Sequence, residues 1–338
     1  MSVLFIGNAI IDVISHLDEI DQIDPNFIGK MQIVSQNEIN DKIKLVSNKK
    51  ILPGGSANNS ACGLSMLEEK VCFIGKIGND QFGKVYLEEN KKHQVETGLM
   101  VIDGKSITGR SLVYVTPDGE RTMYTFPGAS AELDSLDIPK AAFSGISGIF
   151  IEGYILYSPH GLELVSRSIR STKKNNGFVA ISLSDMDCVD KYRDDFLNLI
   201  KSNGVNLIFG NKMEMKALLE VKTEIDLIKK MIELSEFVER LIMTSGKDGS
   251  LSIEKGVLIH ASTNDVEDCT DTTGAGDLFV SGYLKAYLNK SSPIDCLKTG
   301  NFIASKILKR DGGKLDFSDY KEIKKISRDT SYSFLNEI

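Results

Sequence analysis

The chain has 338 residues, 41% of them hydrophobic and 26% charged, enough to bury one large α/β core or two modest ones. A net charge of −7 argues against nucleic acid as the main partner, because a phosphate backbone demands clustered Lys and Arg, yet it leaves room for a local anion site. The five cysteines (Cys62, Cys72, Cys188, Cys269 and Cys296) are scattered, odd in number and without a C-x-x-C pair, as reduced packed thiols are. With no basic leader and no apolar run of membrane length, the expectation is a cytoplasmic protein without a membrane partner.

Residues 3–6 read as a short buried strand ending at Gly7, followed by Asn8 and Asp12 in Ala-Ile-Ile-Asp-Val-Ile. Open α/β sheets place ligands just past the carboxyl ends of their strands. Asn8 offers a donor and an acceptor, while Asp12 only accepts, so this carboxylate suits two neighbouring sugar hydroxyls. Turn chemistry and a surface charge would explain the same two residues. Residues 15–50 interrupt the rhythm and hold a helix at 35–46, with Ser35 and Glu38 as a capping box. Pro53-Gly54-Gly55-Ser56-Ala57-Asn58-Asn59-Ser60 then leads into an Ala/Leu/Met helix. Gly54 and Gly55 permit close approach of a ligand and Asn59 projects from the first turn; alternatively Ser56 or Asn58 simply caps the helix.

A strand is expected at 71–77, an amphipathic helix at 80–91, and three β segments at 99–102, 109–116 and 121–126. Pro117-Asp118-Gly119-Glu120 is a tight turn between the last two. Consecutive strands without helices do not belong to a doubly wound pattern. With residues 13–49 they suggest a small lid built from two insertions; an edge of the main sheet is the alternative. Arg110 and Arg121 are able to reach a phosphate, but surface or ion-pair roles are commoner, and both stay outside the candidate site. Gly98 to Gly104-Lys105-Ser106 imitates a P-loop with one residue too many and among β-type residues, so it is a decoy.

Strands at 148–151, 178–183, 205–209 and 241–244 then alternate with helical patterns, the mark of a mostly parallel sheet covered on both faces. Glu152 either faces a pocket or makes a structural ion pair. Asn211 and Glu214 share one face of a starting helix, a pattern that an N-cap with a first-turn acid also produces. Thr244-Ser-Gly246-Lys-Asp-Gly249 is a glycine turn after a strand. No paired Cys/His ligand set suggests zinc.

The chain is organised around residues 271–284, Asp-Thr-Thr-Gly-Ala-Gly-Asp-Leu-Phe-Val-Ser-Gly-Tyr-Leu. A Thr/Gly turn runs into Leu278, Phe279, Val280, Tyr283, Leu284 and Tyr287 at helical spacing. The first turn of a helix has unpaired N–H groups and partial positive charge, and Gly274 and Gly276 let a phosphate approach them. Asp277, inside that turn, is out of place for anion binding alone. It makes sense as a base taking a proton from an alcohol while the amides of Gly274, Ala275 and Gly276 hold the phosphoryl group the alcohol attacks. The plainer explanation is an acid favoured at a helix start. A helix at 293–309 carries Asn301, Arg310-Asp-Gly312-Gly313 makes a turn, and a last helix is expected at 316–325.

GNAIID, GGSANNS, NKME and DTTGAGD, in this order, resemble the motifs of the PfkB (ribokinase-like) carbohydrate and nucleoside kinases. The likeness spans essentially the whole chain. It implies a ribokinase-like doubly wound α/β domain (residues 1–12, 50–97 and 127–338) with a discontinuous lid (13–49 and 98–126). It implies ATP-dependent phosphoryl transfer with Asp277 as base and Gly274, Ala275 and Gly276 as the anion hole. By the same likeness Asn8, Asp12, Gly54, Gly55 and Asn59 hold the sugar, and Asn211, Thr244, Gly246, Gly249 and Asn301 serve the nucleotide. Glu214 would place Mg²⁺ largely through water. Asp271 and Thr273 would help bind K⁺, although Arg310-Asp311 is more charged than the family's usual turn there. GNAIID and a mixed lid look like the bacterial adenosine kinase branch, so adenosine giving AMP, in purine salvage, is the expected reaction. A ribose or fructose kinase is the alternative, and an inactive ligand-binding member a second one. Ile10, Ile14, Met31, Ile33 and Phe126 could pack against a purine or form the lid core. Such a lid argues for a monomer, with a homodimer as the alternative.

Overall fold

The computed structural model describes residues 2–17, 28, 31–98, 100–116, 121–263, 272–308, 312–316 and 318–323. In β1 (Ser2–Ile6), Val3 and Phe5 enter one core and Leu4 and Ile6 the other, as a period of two requires. A strand buried on both faces belongs inside a parallel sheet. Accordingly β1 pairs in parallel with β5 (Val71–Ile74) on one side and β10 (Ile146–Glu152) on the other. Beyond β10 follow β11 (Phe178–Ser182), β12 (Leu207–Asn211) and β13 (Arg240–Thr244), all parallel. An antiparallel pair, β14 (Ser250–Glu254) and β15 (Val257–Ala261), finishes that edge. The winding reverses at β1, whose two neighbours are reached in opposite directions. A crevice therefore opens beyond the carboxyl ends of β1 and β10, where doubly wound sheets bind ligands.

Helices cover both faces. α2 (Ser56–Met66), α3 (Gln81–Lys92), α8 (Ala275–Leu288) and α9 (Pro293–Ile307) pack over the Val3–Phe5 side, where Phe209 meets Tyr283 edge-on at 5.2 Å. α4 (Gly161–Lys174), α5 (Met186–Lys201), α6 (Lys212–Leu219) and α7 (Glu224–Leu234) cover the other through Leu164, Cys188, Met215 and Leu227. Among the described residues no helix is long and apolar enough to cross a membrane.

A second sheet runs in the order β3 (Met31–Ile33), β9 (Arg121–Phe126), β8 (Gly109–Val115), β2 (Ile10–His16) and β4 (Lys50–Pro53). α1 (Gln36–Leu45) starts with the expected Ser35–Glu38 capping box and covers Val13, Leu112, Tyr114 and Tyr124 on one face. The alternation turns Asp12, Ser111, Arg121, Met123 and Thr125 to the opposite face, over the crevice. The β8–β9 hairpin thus belongs to a separate sheet and is no edge of the main one. Its expected tight turn, residues 117–120, lies outside the described residues.

One expected strand is broken. Instead of running over 71–77, the chain leaves the main sheet at Gly75, and β6 (Lys76–Gly78) pairs with β7 (Val101–Asp103). Gly75 passes so close beneath the β1 loop that a Cβ there would lie 2.8 Å from the Gly7 carbonyl oxygen. Residues 318–323 are helical, and the remainder of the expected final helix lies outside the described residues.

Candidate active site

Between the two sheets lies a cavity of about 580 Å³. Its floor is the crevice at β1, lined by Asn8, Glu152, Gly55, Ser56 and Asn59, and the first turn of α8 closes one end.

That turn has the form the sequence suggested. Gly274 is a left-handed N-cap with φ 74°, and no side chain caps the helix. A Cβ on Gly274 would lie 2.4 Å from Gly313 Cα, so the turn at 312–313 packs directly on it. Leu278 N–H donates to the Gly274 carbonyl at 2.8 Å and Ala275 N–H to the Thr272 carbonyl at 3.2 Å. The N–H groups of Gly276 and Asp277 belong to the set that every helix start leaves unpaired. Gly276 is exposed, with open space where a side chain would stand.

Asp277 is held at both oxygens. Ser56 Oγ donates to Oδ1 at 2.6 Å, and Asn59 Nδ2 donates to Oδ2 at 2.9 Å. Ser60 Oγ donates to the Asp277 carbonyl at 3.1 Å and Ser281 Oγ to the Ser60 carbonyl at 3.0 Å, stapling α2 to α8. Burial raises the Asp277 carboxyl above its ordinary pKa, and the Ser56 and Asn59 bonds hold the rise back. It is a stronger base than a free carboxylate. Neither Ser56 nor Asn58 caps α2; Gly55 is the N-cap, and Ser56 is free for Asp277.

Glu152, 1% exposed, makes no ion pair among the described residues. It accepts the N–H groups of Asn8 and Ala57, each at 2.7 Å, and so ties the end of β1 to the start of α2. Burial pushes its pKa up to about 7. Asp12 hangs from β2 beside Gly54, where a Cβ would lie 2.0 Å from its Oδ2, so Gly54 is what leaves room for this carboxylate. Burial raises Asp12 to about 7, while Arg121 and Lys314 draw it down.

Asn211 and Glu214 form a reciprocal capping box at the start of α6, with Glu214 N–H donating at 2.9 Å and Asn211 N–H at 3.0 Å. The plain N-cap is therefore real, yet both residues also line the cavity, and burial pushes Glu214 up to about 7. Thr244 lies beside Asn211 in the register, and its loop closes through Ser245 N–H to the Gly249 carbonyl at 2.8 Å. Gly246 and Gly249 adopt φ 58° and 84° there. That loop sits at the same end of the sheet but is not among the residues lining the cavity. Asn301 stands farther off, donating to the carbonyls of Ala261 and Ser262 at 3.1 and 3.3 Å and fastening α9 to β15. Thr273 is buried at the cavity wall, and Asp271 lies outside the described residues. Among the described residues no three Asp, Glu, His or Cys side chains converge as a metal cage.

Several wall residues escaped the sequence reading. Arg121 reaches the cavity after all, and the alternation 121, 123, 125 was the available signal. Tyr154 and Tyr157, from the 3₁₀ turn Gly153–Tyr157 after β10, carry no motif. Of the apolar residues singled out, Ile10, Met31 and Ile33 line this cavity, and Ile14 lines a smaller one behind Asp12. Phe126 does not join them, because its even position on β9 turns it, like Tyr124, toward α1.

A family model described as "pfkB family carbohydrate kinase" matches residues 4–319. The chain belongs to the PfkB family. Its fold is the ribokinase-like one, and PfkB membership makes it a kinase, with ATP and usually Mg²⁺ implied by the family. The adenosine kinase from Sinorhizobium meliloti superposes with a TM-score of 0.89 at 28% identity, over 96% of this chain and 99% of that one. A probable sugar kinase from Rhizobium etli CFN 42 reaches 0.90 at 28% identity, over 96% and 98%. The adenosine kinase of Dictyostelium discoideum is 24% identical over 342 residues, 95% of this chain and 98% of its own length.

Proposed function

We propose that this PfkB kinase transfers the γ-phosphoryl group of ATP to the 5′-hydroxyl of a nucleoside, with adenosine giving AMP as the preferred reaction. The observation that carries the reading is one cavity holding a hydroxyl acceptor, Asp12, and a base among helix-start amides, Asp277, under an apolar roof. Asp12 and Asn8 take the sugar hydroxyls, with Gly55 and Asn59 beside them. Asp277 receives the proton of the attacking alcohol. The amides of Gly274 and Gly276 stabilise the transferring phosphoryl group, the expected Ala275 N–H being held by the Thr272 carbonyl, since phosphoryl transfer asks the protein chiefly to position groups and spread charge. Glu214, one buried carboxylate at the wall, suits a magnesium ion that keeps most of its water and takes few protein ligands. When bound, that ion neutralises nucleotide phosphate charge. The second sheet with α1 acts as the lid, whose closing keeps water from the phosphoryl group.

Met31, Ile33 and Met123 in the roof and Tyr154 and Tyr157 in the wall favour a nucleoside, because they form an apolar slot that a free sugar leaves unused. A sugar kinase is the second reading, since the probable sugar kinase from Rhizobium etli CFN 42 is as similar as the adenosine kinase from Sinorhizobium meliloti. ADP release from MgATP with adenosine, other nucleosides, ribose and fructose decides. ADP with adenosine alone supports the proposal, ADP with a sugar alone replaces it, and none with any acceptor points to an inactive ligand-binding protein.

Gly54→Ala should raise the acceptor KM about tenfold or more, the cost of losing a hydrogen bond to a charged group, with the nucleotide KM unmoved. The new methyl would stand 2.0 Å from Asp12 Oδ2 and evict it. An unchanged acceptor KM would take Asp12 out of the sugar site.

The pH dependence has two opposite signs. Asp12 must be ionised to accept two hydroxyls, so acceptor KM should rise as pH falls through about 7 and flatten above it. Asp12→Asn should abolish that limb. In the ligand-free protein Asp12, Glu152 and Glu214 have folded pKa values raised to about 7. Their neutral forms favour folding below about pH 4, and that contribution is lost as pH rises through about 7. Thermal melts between these limits should show the decline.

A further inference from the structure

We propose that Lys314 is a positioning residue for the acceptor, a buried ammonium acting through Asp12 from behind the sugar site; this rests on the kinase reading and deepens it. A second cavity, of about 280 Å³, opens between β4, the end of α3 and the turn at 312–316. Asp12 belongs to the walls of both cavities and is the partition between them, with Lys314 on the rear side. The turn carrying Lys314 is wedged in place. A Cβ on Gly312 would touch Leu52 and Ile14 at 3.0 and 3.5 Å, and one on Gly313 would lie 2.3 Å from Asn59 Nδ2. Held there, Lys314 Nζ is buried beside the Cys62 thiol and makes no hydrogen bond of ordinary geometry to any of the described residues.

An ammonium taken from water without a partner is costly, so its position calls for a nearby negative charge. Among the described residues the rear neighbours do not supply one. The Cys62 thiol stays neutral, because burial raises its pKa. Burial, and then Lys314 itself, lowers the pKa of His93. Glu89 is taken by Lys92 at 2.9 Å, and Lys50 and Asp316 stand at the exposed rim. On the front side Asp12 faces Arg121 from β9 and Asp277 from α8. Asp12 is then the carboxylate that Lys314 balances. Burial pushes Asp12 up, and Arg121 and Lys314 draw it back toward the charged form that accepts hydroxyls. Because the ammonium comes from behind, it leaves the front of the carboxylate open to the sugar.

The test uses Lys314→Met and Lys314→Gln, which remove the charge, and Lys314→Arg, which keeps it. Carbon-13 NMR of the aspartate carboxyls, with Asp12→Asn for assignment, reads the link without turnover. Asp12 should titrate about one unit higher in the neutral variants and near wild type in Lys314→Arg, and acceptor KM at pH 7 should rise about fivefold with nucleotide KM unchanged. In an Asp12→Asn background Lys314→Met should change acceptor KM less than about twofold, since the pair acts as a unit. An unmoved Asp12 midpoint, or an equal rise in nucleotide KM, overturns the proposal. Failure of both neutral variants to fold while Lys314→Arg folds assigns Lys314 to stability and overturns it too. If the wild type phosphorylates no acceptor, the kinase reading falls, and the carboxyl titration still decides whether Lys314 controls Asp12.

Discussion

Asp277→Asn should lower kcat at least a hundredfold while the folded protein still binds acceptor, the scale of losing a general base. The substitution keeps the shape and removes the proton acceptor. It also creates a conflict: Ser56 Oγ and Asn59 Nδ2 both donate to the native carboxylate, at 2.6 and 2.9 Å, and an amide offers them only one oxygen. Ser56 resolves it, because its hydroxyl can turn to accept from the new amide while Asn59 Nδ2 keeps the oxygen, so stability should change by less than about 1 kcal/mol. Asp12 and the roof are untouched, so calorimetric binding of adenosine should survive. Steady-state kinetics beside that titration separates the two effects, and near-normal turnover would strip Asp277 of its role.

Gly276→Val should cost about a hundredfold or more in kcat, comparable to deleting an anion-hole donor, without lowering Tm. A Cβ at Gly276 meets nothing within 4 Å, so the fold has room for it. Any residue other than proline also suits a helix better than glycine does. On the proposed reading the empty volume is where phosphoryl oxygens approach the first-turn amides, and a branched side chain fills it. Gly274 offers the contrast, because its Cβ would lie 2.4 Å from Gly313 Cα and the loss there would be of structure. If Gly276→Val melts early and loses activity in proportion, Gly276 is a folding position and the anion hole lies elsewhere.

The sheet and the helix starts were legible because they rest on local rules. Val3–Ile6 is apolar at every position, which only a strand covered on both faces tolerates. Ser35 and Glu38 specify their capping box within four residues, and a Thr/Gly turn before an apolar helix announces an open N-terminus at Gly274–Asp277. The family motifs lie on these features, so the kinase class followed from them. What the tertiary structure decided involves partners far apart in the chain. Ser56 reaches Asp277 across 221 positions, and Glu152 reaches Ala57 across 95. Lys314 comes to stand behind Asp12 only because the turn at 312–316 docks between the second sheet and α3. Periodicity tells which side of a strand a residue occupies, as it does for Arg121 and Phe126, but not what covers that side. That choice is made by how the two sheets face each other, a relation no local stretch encodes.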